Sequence, residues 1–188
     1  MDNKHNILKQ SLNLFAEKGF HAVGVQEIVN KSKISKPTLY HYFGSKEGLF
    51  HQLLESEFRD ILHFLKGEAH SEKDISQKLE SIVRYFLVFT MNNRDFSHIY
   101  LSISFSPSES AESSMGGPYL KKISHFIEEM FIDASYSHGN MRGRHQNYSA
   151  SFLGMINTYI SLLLKGEIEN SDTLIYSIVH QFSHGIYS

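Results

Sequence analysis

Cysteine and tryptophan are both absent from this chain of 188 residues, and proline occurs only three times. Without cysteine there is no disulfide framework, no thiolate metal site and no thiol nucleophile, which agrees with a reducing compartment. No stretch approaches the length of apolar residues that a membrane span needs, and the N-terminus carries charge where a secretory signal would be apolar. We therefore expect a cytoplasmic protein that does not enter a membrane.

Charge is unevenly distributed along the chain. The net charge at pH 7 is only −2, but residues 1–50 hold seven lysines against four acidic residues and so carry +3, which leaves −5 for the rest. A basic N-terminal part followed by an acidic remainder favours a protein that binds nucleic-acid phosphates through its N-terminal part only. With 41% hydrophobic and 20% charged residues, the composition is that of a folded globular chain.

Apolar residues recur at three- and four-residue spacing along most of the chain, and no alternating strand pattern appears. The sequence therefore predicts an all-α protein of about nine helices, at residues 3–18, 25–31, 36–42, 45–67, 75–91, 94–105, 119–136, 146–165 and 172–186. Residues 106–118, rich in serine and glycine, are predicted to form a surface loop, and residues 137–143 a second break. A helix-turn-helix domain of three helices (1–46) would precede a helical effector-binding and dimerisation domain (47–188).

Residues 25–43 fit a helix-turn-helix, in which a first helix braces a second one that enters the DNA major groove. Leu39 and Phe43 are four residues apart and can pack inward on Ile28. The opposite side of the second helix then carries a lysine, a proline, rings and a hydroxyl in place of the usual glutamates and glutamines: Lys36, Pro37, Thr38, Tyr40, His41 and Tyr42. Such groups suit thymine methyls, base edges and phosphates.

The segment GFHAVGVQEIVNKSKISKPTLYHYFGSKEGLF resembles the N-terminal signature of the tetracycline-repressor (TetR) family of transcription regulators. The resemblance rests on Gly19-Phe20, Ile28, Ser35, Thr38-Leu39-Tyr40, Tyr42-Phe43 and Ser45-Lys46-Glu47. It implies DNA contacts at Gln26, Ser35, Lys36, Pro37, Thr38, Tyr40, His41, Tyr42 and Lys46, with Tyr40 and Lys46 on phosphates.

Three positions depart from the family pattern. Gly24 stands where relatives usually have a serine or threonine cap, so we expect the second helix to begin without a side-chain cap. Lys33 stands where the turn commonly has glycine; a left-handed backbone there would cost a lysine about 1 kcal/mol, while its charge would add a phosphate contact. Val29 replaces a usual alanine, which would set helices two and three slightly further apart.

Aromatic and methionine side chains are dense between residues 75 and 160. They form either an ordinary core or, as the family resemblance implies, the lining of a cavity for a small apolar or aromatic effector. Under the second interpretation the effector-binding residues are expected to be Phe86, Phe89, Tyr100, Phe126, Met130 and Tyr159.

The last two predicted helices carry apolar stripes that the family resemblance assigns to a homodimer interface. The stripes consist of Phe152, Ile156, Tyr159 and Leu163 on the first helix and Ile175, Ile178, Val179, Phe182 and Ile186 on the second. Packing within one chain is the alternative.

The sequence contains no GxSxG, P-loop or GxGxxG motif, so we expect neither an enzyme nor a cofactor. His180 and His184 share a helix face, but two ligands without a third do not make a metal site. The expected function is a repressor that binds a palindromic double-stranded DNA operator as a homodimer and is released by its effector. The alternative is an effectorless DNA-bound interaction protein or an activator.

Overall fold

The computed structural model describes residues 3–185, and within them the chain forms nine α-helices and no strand. The helices are α1 (Asn3–Lys18), α2 (Val25–Ser32), α3 (Lys36–Phe43), α4 (Lys46–Ala69), α5 (Ile75–Asn92), α6 (Arg94–Phe105), α7 (Ala111–Ser137), α8 (His145–Lys165) and α9 (Asp172–His184). The predicted all-α fold with an N-terminal helix-turn-helix and a helical C-terminal part is confirmed. The break after α7 contains a short 3-10 turn, Gly139–Met141.

The ends of α2 and α3 follow from single residues. Gly24 precedes α2 and supplies no side-chain cap, as the sequence predicts. Lys33 ends α2 in the left-handed conformation, with φ 55° and ψ 45°, and is the only non-glycine residue with positive φ among residues 3–185. Ser35 then starts α3, because its hydroxyl accepts a hydrogen bond from the amide of Thr38.

A tight turn joins α3 to α4. The hydroxyl of Ser45 accepts a hydrogen bond from the amide of Gly48 at 3.0 Å, so Ser45 caps α4 as the sequence predicts. Gly48 lies against the end of α3: a methyl group there would stand 2.1 Å from the carbonyl oxygen of Phe43. The close approach of α4 to α3 therefore requires a residue without a side chain.

The predicted loop over residues 106–118 is wrong in its second half, since α7 already begins at Ala111. The hydroxyl of Ser110 accepts a hydrogen bond from the amide of Ser113 at 3.0 Å, which starts the helix. Gly116 faces Ile103 so closely that a methyl group would stand 2.6 Å from its side chain. Glycine and proline both lower helix propensity. In α7, however, Gly116 allows close packing on Ile103, and Pro118 removes only a single backbone hydrogen bond.

The chain divides into two compact units. The first comprises Met1–Asp60 and Asp95–Pro118, and the second comprises Ile61–Arg94 and Tyr119–Ser188. Helix α6 thus belongs to the same unit as the helix-turn-helix. The proposed boundary between residues 46 and 47 stays a prediction.

Each unit has its own core. In the first, the side chain of Asn13 in α1 donates a hydrogen bond to Asp95 in α6, and the rings of Phe58 and Phe96 meet edge to face at 5.1 Å. In the second, α5 packs against α8 and α9. The rings of Phe152 and Phe182 lie 5.1 Å apart between the last two helices.

Candidate functional site

The outward side of α3 is the candidate nucleic-acid interface. Leu39 is fully buried and Phe43 nearly so, which fixes the inward side of the helix. On the other side Tyr40 is 45% exposed, Lys36, Pro37 and His41 are also exposed, and Thr38 and Tyr42 are half-buried. Burial of two apolar residues thus presents the six polar and aromatic side chains that the sequence singled out.

Local hydrogen bonds hold three of the predicted DNA-contacting side chains, Gln26, Ser35 and Thr38. The hydroxyls of Ser35 and Thr38 are 2.8 Å apart, in addition to the capping bond between them. The amide of Gln26 donates to Asn30 one turn further along α2, at 2.9 Å. These side chains are therefore already ordered at the surface, which reduces the entropy lost on binding a partner.

Lys46 has a structural role that the sequence did not reveal. Its ammonium donates hydrogen bonds to the carbonyl oxygens of Phe20 and Val23, each at 3.0 Å, and lies 4.2 Å from the centre of the Phe20 ring. The start of α4 is thereby tied to the segment between α1 and α2. These partners are more than twenty residues away in sequence, so no local pattern indicates them.

The six residues predicted to bind an effector are divided between the two units. Tyr100 lies in the first unit and the other five in the second. Phe86, Tyr100 and Met130 are almost completely buried, and burial raises the pKa of the Tyr100 hydroxyl well above its usual range. Phe126 and Tyr159 are half-buried.

Two clefts in the second unit contain one predicted residue each. Phe89 lines an open cleft of about 510 Å³ between the last part of α4 and helix α5. Met130 lines a cleft of about 390 Å³ between α7 and the start of α5. The first cleft is also lined by Phe64 and Glu68, which the sequence did not single out. The partner of Phe64 is Tyr85 on α5, which is distant in sequence, so no local pattern indicates their contact.

The predicted dimer stripes are largely covered within one chain. Six of the nine residues are buried there: Phe152, Ile156, Leu163, Ile175, Ile178 and Val179. Tyr159 and Phe182 are half-buried, and Ile186 lies outside the described residues. The adjoining faces of α8 and α9 are open, with Gly154, Thr158, Tyr176 and His180 exposed.

Metal ligands do not gather in the described part of the chain. The rings of His180 and His184 are 4.6 Å apart, but no group of three or more side chains that could hold a metal ion occurs among residues 3–185. Within the same residues, no helix is both long and apolar enough to cross a membrane.

Sequence comparison places the N-terminal helices in a family. Residues 7–53 match the model described as "Bacterial regulatory proteins, tetR family". The transcriptional activator FasR of Mycolicibacterium smegmatis is 27% identical over 88 residues, which are 47% of this chain and 40% of FasR. The uncharacterized regulator YdgC of Bacillus subtilis is 30% identical over 103 residues, 53% of each chain. The chain thus spans about half the length of these curated relatives.

Solved structures share the fold over nearly the whole chain. FadR from Bacillus subtilis in complex with stearoyl-CoA superposes with a TM-score of 0.81 at 14% identity, covering 97% of this chain and 99% of FadR. AibR in complex with isovaleryl coenzyme A and operator DNA gives a TM-score of 0.74 at 20% identity, covering 96% and 97%.

The described residues form an all-helical chain with an N-terminal helix-turn-helix. The relatives that match it are named as transcription regulators and not as enzymes. Residues 7–53 of this chain are thus similar to the TetR family of bacterial regulatory proteins.

Proposed function

We propose that this protein is a transcription regulator that binds a palindromic double-stranded DNA operator as a homodimer. The observation that carries the proposal is the outward side of α3, where exposed Lys36, Tyr40 and His41 stand beside hydrogen-bonded hydroxyls on a rigid helix. A helix of this kind fits the major groove and offers contacts to base edges and phosphates.

Phosphate contacts are assigned to Lys33, Tyr40 and Lys46, flanked by Gln26 and by the remaining polar side chains of α3. Lys33 is exposed at the turn between α2 and α3. Its left-handed backbone ends α2 and leads the chain into α3. Lys46 uses two of its three ammonium donors on carbonyl oxygens, so one donor stays available to a phosphate. In this proposal Lys46 ties the start of α4 to the segment between α1 and α2 and also binds DNA.

The homodimer would form through α8 and α9. Because most of the predicted apolar stripes are already buried, the contacts of a second chain fall on the open faces beside them, which carry Gly154 and Thr158 on α8 and Tyr176 and His180 on α9. Small residues on α8 allow the close helix approach of a four-helix interface. Half-buried Tyr159 and Phe182 would complete it.

Repression relieved by a small apolar or aromatic effector is the mode of action that we propose for the second unit, since one of its clefts has an aromatic wall. Two structural neighbours were crystallised with acyl-CoA molecules, so these are further compounds to test. The second candidate, an effectorless DNA-bound regulator, is favoured by the near-complete burial of Phe86 and Tyr100, which form core rather than cavity.

Selection of duplexes from a random pool with the purified full chain tests DNA binding. We expect a near-palindromic site whose half-sites are about one helical turn, roughly 34–36 Å, apart. Lys36→Ala should weaken binding and change the slope of affinity with salt by about one unit, whereas Lys165→Ala, an exposed lysine at the end of α8, should leave both unchanged. Failure to enrich any sequence would contradict the proposal.

A further inference from the structure

The cleft between the last part of α4 and helix α5 has an aromatic wall. The rings of Phe64 and Tyr85 stack with centroids 3.9 Å apart and planes inclined by 5°, and Tyr85 continues to Phe89 at 5.9 Å. All three rings are half-buried and border a space of about 510 Å³. The rings cover each other's inner faces, so a further planar ring can extend this column by stacking on an outer face.

A buried carboxylate lies in the lining of the same cleft. The side chain of Glu68 is only 10% exposed, and its Oε1 accepts a hydrogen bond from the ammonium of Lys73 at 2.7 Å. Its Oε2 is buried and has no hydrogen-bond partner among residues 3–185. An unpaired buried carboxylate oxygen is unfavourable, so this oxygen is a position at which a further donor would stabilise the site.

Both basic groups that line the cleft already have carboxylate partners. Lys73 is bound to Glu68, and the guanidinium of Arg84 is bound by Glu80 at 3.0 Å and by Asp172, which lie outside the lining. The second oxygen of Glu68 is therefore the buried acceptor in the lining that has no partner among the described residues. The side chain of Lys73 is 42% exposed, so it can move into solvent when another cation takes its place on Glu68.

We propose that this cleft binds a planar aromatic cation, such as an aryl amidinium. Its ring would stack on the outer face of the Phe64–Tyr85 pair, and its N–H groups would bind the carboxylate of Glu68. The inference rests on the proposed function, of which it names the effector class. It differs from the acyl-CoA ligands of the structural neighbours, because the unpaired oxygen of Glu68 accepts a hydrogen bond and cannot donate one to a phosphate.

Three naphthyl compounds of equal shape test the charge preference: naphthamidine (cation), naphthamide (neutral) and naphthoate (anion). The chain has no tryptophan, so naphthyl fluorescence can be followed in titrations without background from that residue. We expect naphthamidine to bind about tenfold or more tightly than naphthamide, and naphthoate to bind weakest. Equal affinity for the three compounds, or binding of none, would overturn the cation site.

Two substitutions should change the affinity for naphthamidine in opposite directions. Glu68→Gln keeps the shape but removes the charge, and should weaken binding about tenfold or more. Lys73→Met removes the competing ammonium and should strengthen binding. Glu167→Gln, an exposed acid between α8 and α9, is the control for the charge change. Unchanged affinity in Glu68→Gln, with its fold verified by circular dichroism, would place the ligand elsewhere and overturn the proposal; weaker binding in Lys73→Met would also overturn it.

Operator titrations separate the site from its regulatory role. If naphthamidine is an effector, it should weaken operator binding by the same factor by which operator DNA weakens naphthamidine binding. Naphthamidine binding that leaves operator affinity unchanged would overturn the effector role alone, while the ligand site would stand. The operator affinity of the ligand-free protein, measured in the same series, tests the proposed DNA binding separately.

Discussion

Gly48 shows how one residue positions the candidate nucleic-acid interface. It stands in the first turn of α4, where a Cβ atom would meet the carbonyl oxygen of Phe43 at 2.1 Å. Phe43 is the last residue of the recognition helix, and its buried ring fixes the inward side of that helix. Any side chain at Gly48 must therefore displace the backbone on which the DNA-contacting residues stand.

Gly48→Ala should lower the free energy of unfolding by about 2 kcal/mol, because a backbone oxygen cannot move aside as a flexible side chain can. Gly67→Ala is the matched control in the same helix, since a Cβ there meets nothing within 4 Å. It should raise stability by about 0.5–1 kcal/mol through helix propensity. Urea unfolding followed by circular dichroism measures both, and equal effects would contradict the proposed role of Gly48.

Lys46 has a structural role and a proposed role in DNA binding, and substitution should test both. Lys46→Met removes the hydrogen bonds to Phe20 and Val23 and the contact with the Phe20 ring, so thermal stability and operator affinity should fall together. A loss of about 1–3 kcal/mol is expected for the hydrogen bonds of a charged donor. Lys36→Met, on the exposed side of α3, should lower operator affinity only. Unchanged thermal stability in Lys46→Met would refute the structural role.

At the scale of elements, the spacing of apolar residues predicted the helix ends correctly where an amphipathic helix packs on one core. The predicted ends of α1, α5, α6 and α8 agree with the observed ends to within a residue or so. The start of α7 was missed because Gly116, Gly117 and Pro118 read as a break when tertiary packing is unknown. The partners of Lys46 and the stack of Phe64 on Tyr85 were missed for a related reason, since both join segments far apart in sequence.

The first turns of α7 offer a direct test of that packing. Gly116→Ala should destabilise the protein by about 1–3 kcal/mol, because the added methyl would lie 2.6 Å from the side chain of Ile103, which is itself buried. At Gly117 the nearest atom, the hydroxyl of Ser113, lies 3.9 Å away, so Gly117→Ala should stabilise by about 0.5–1 kcal/mol. Thermal unfolding of the two variants distinguishes them. A stabilising Gly116→Ala would mean that α7 does not press on α6 here.

At the scale of the whole molecule, the proposed function depends on two copies, because an operator with two half-sites is bound tightly only when both are engaged. The exposed ring column of α9, in which Tyr176 lies 5.5 Å from His180 and His180 lies 4.6 Å from His184, is the apolar and aromatic surface that the proposed interface would cover. Tyr176 is 64% exposed in the single chain, so its substitution does not disturb the core.

Tyr176→Arg should therefore break the dimer without unfolding the chain, because two like charges would face each other or lie buried in the interface. Sedimentation at micromolar protein should show a monomer, and operator affinity should fall by tenfold or more as the second half-site is lost. Tyr136→Arg, at an equally exposed tyrosine near the end of α7, should remain a dimer with full operator affinity. A Tyr176→Arg variant that stays dimeric would move the interface away from this face of α9, and one that is monomeric yet binds the operator undiminished would contradict the homodimer as the DNA-binding form.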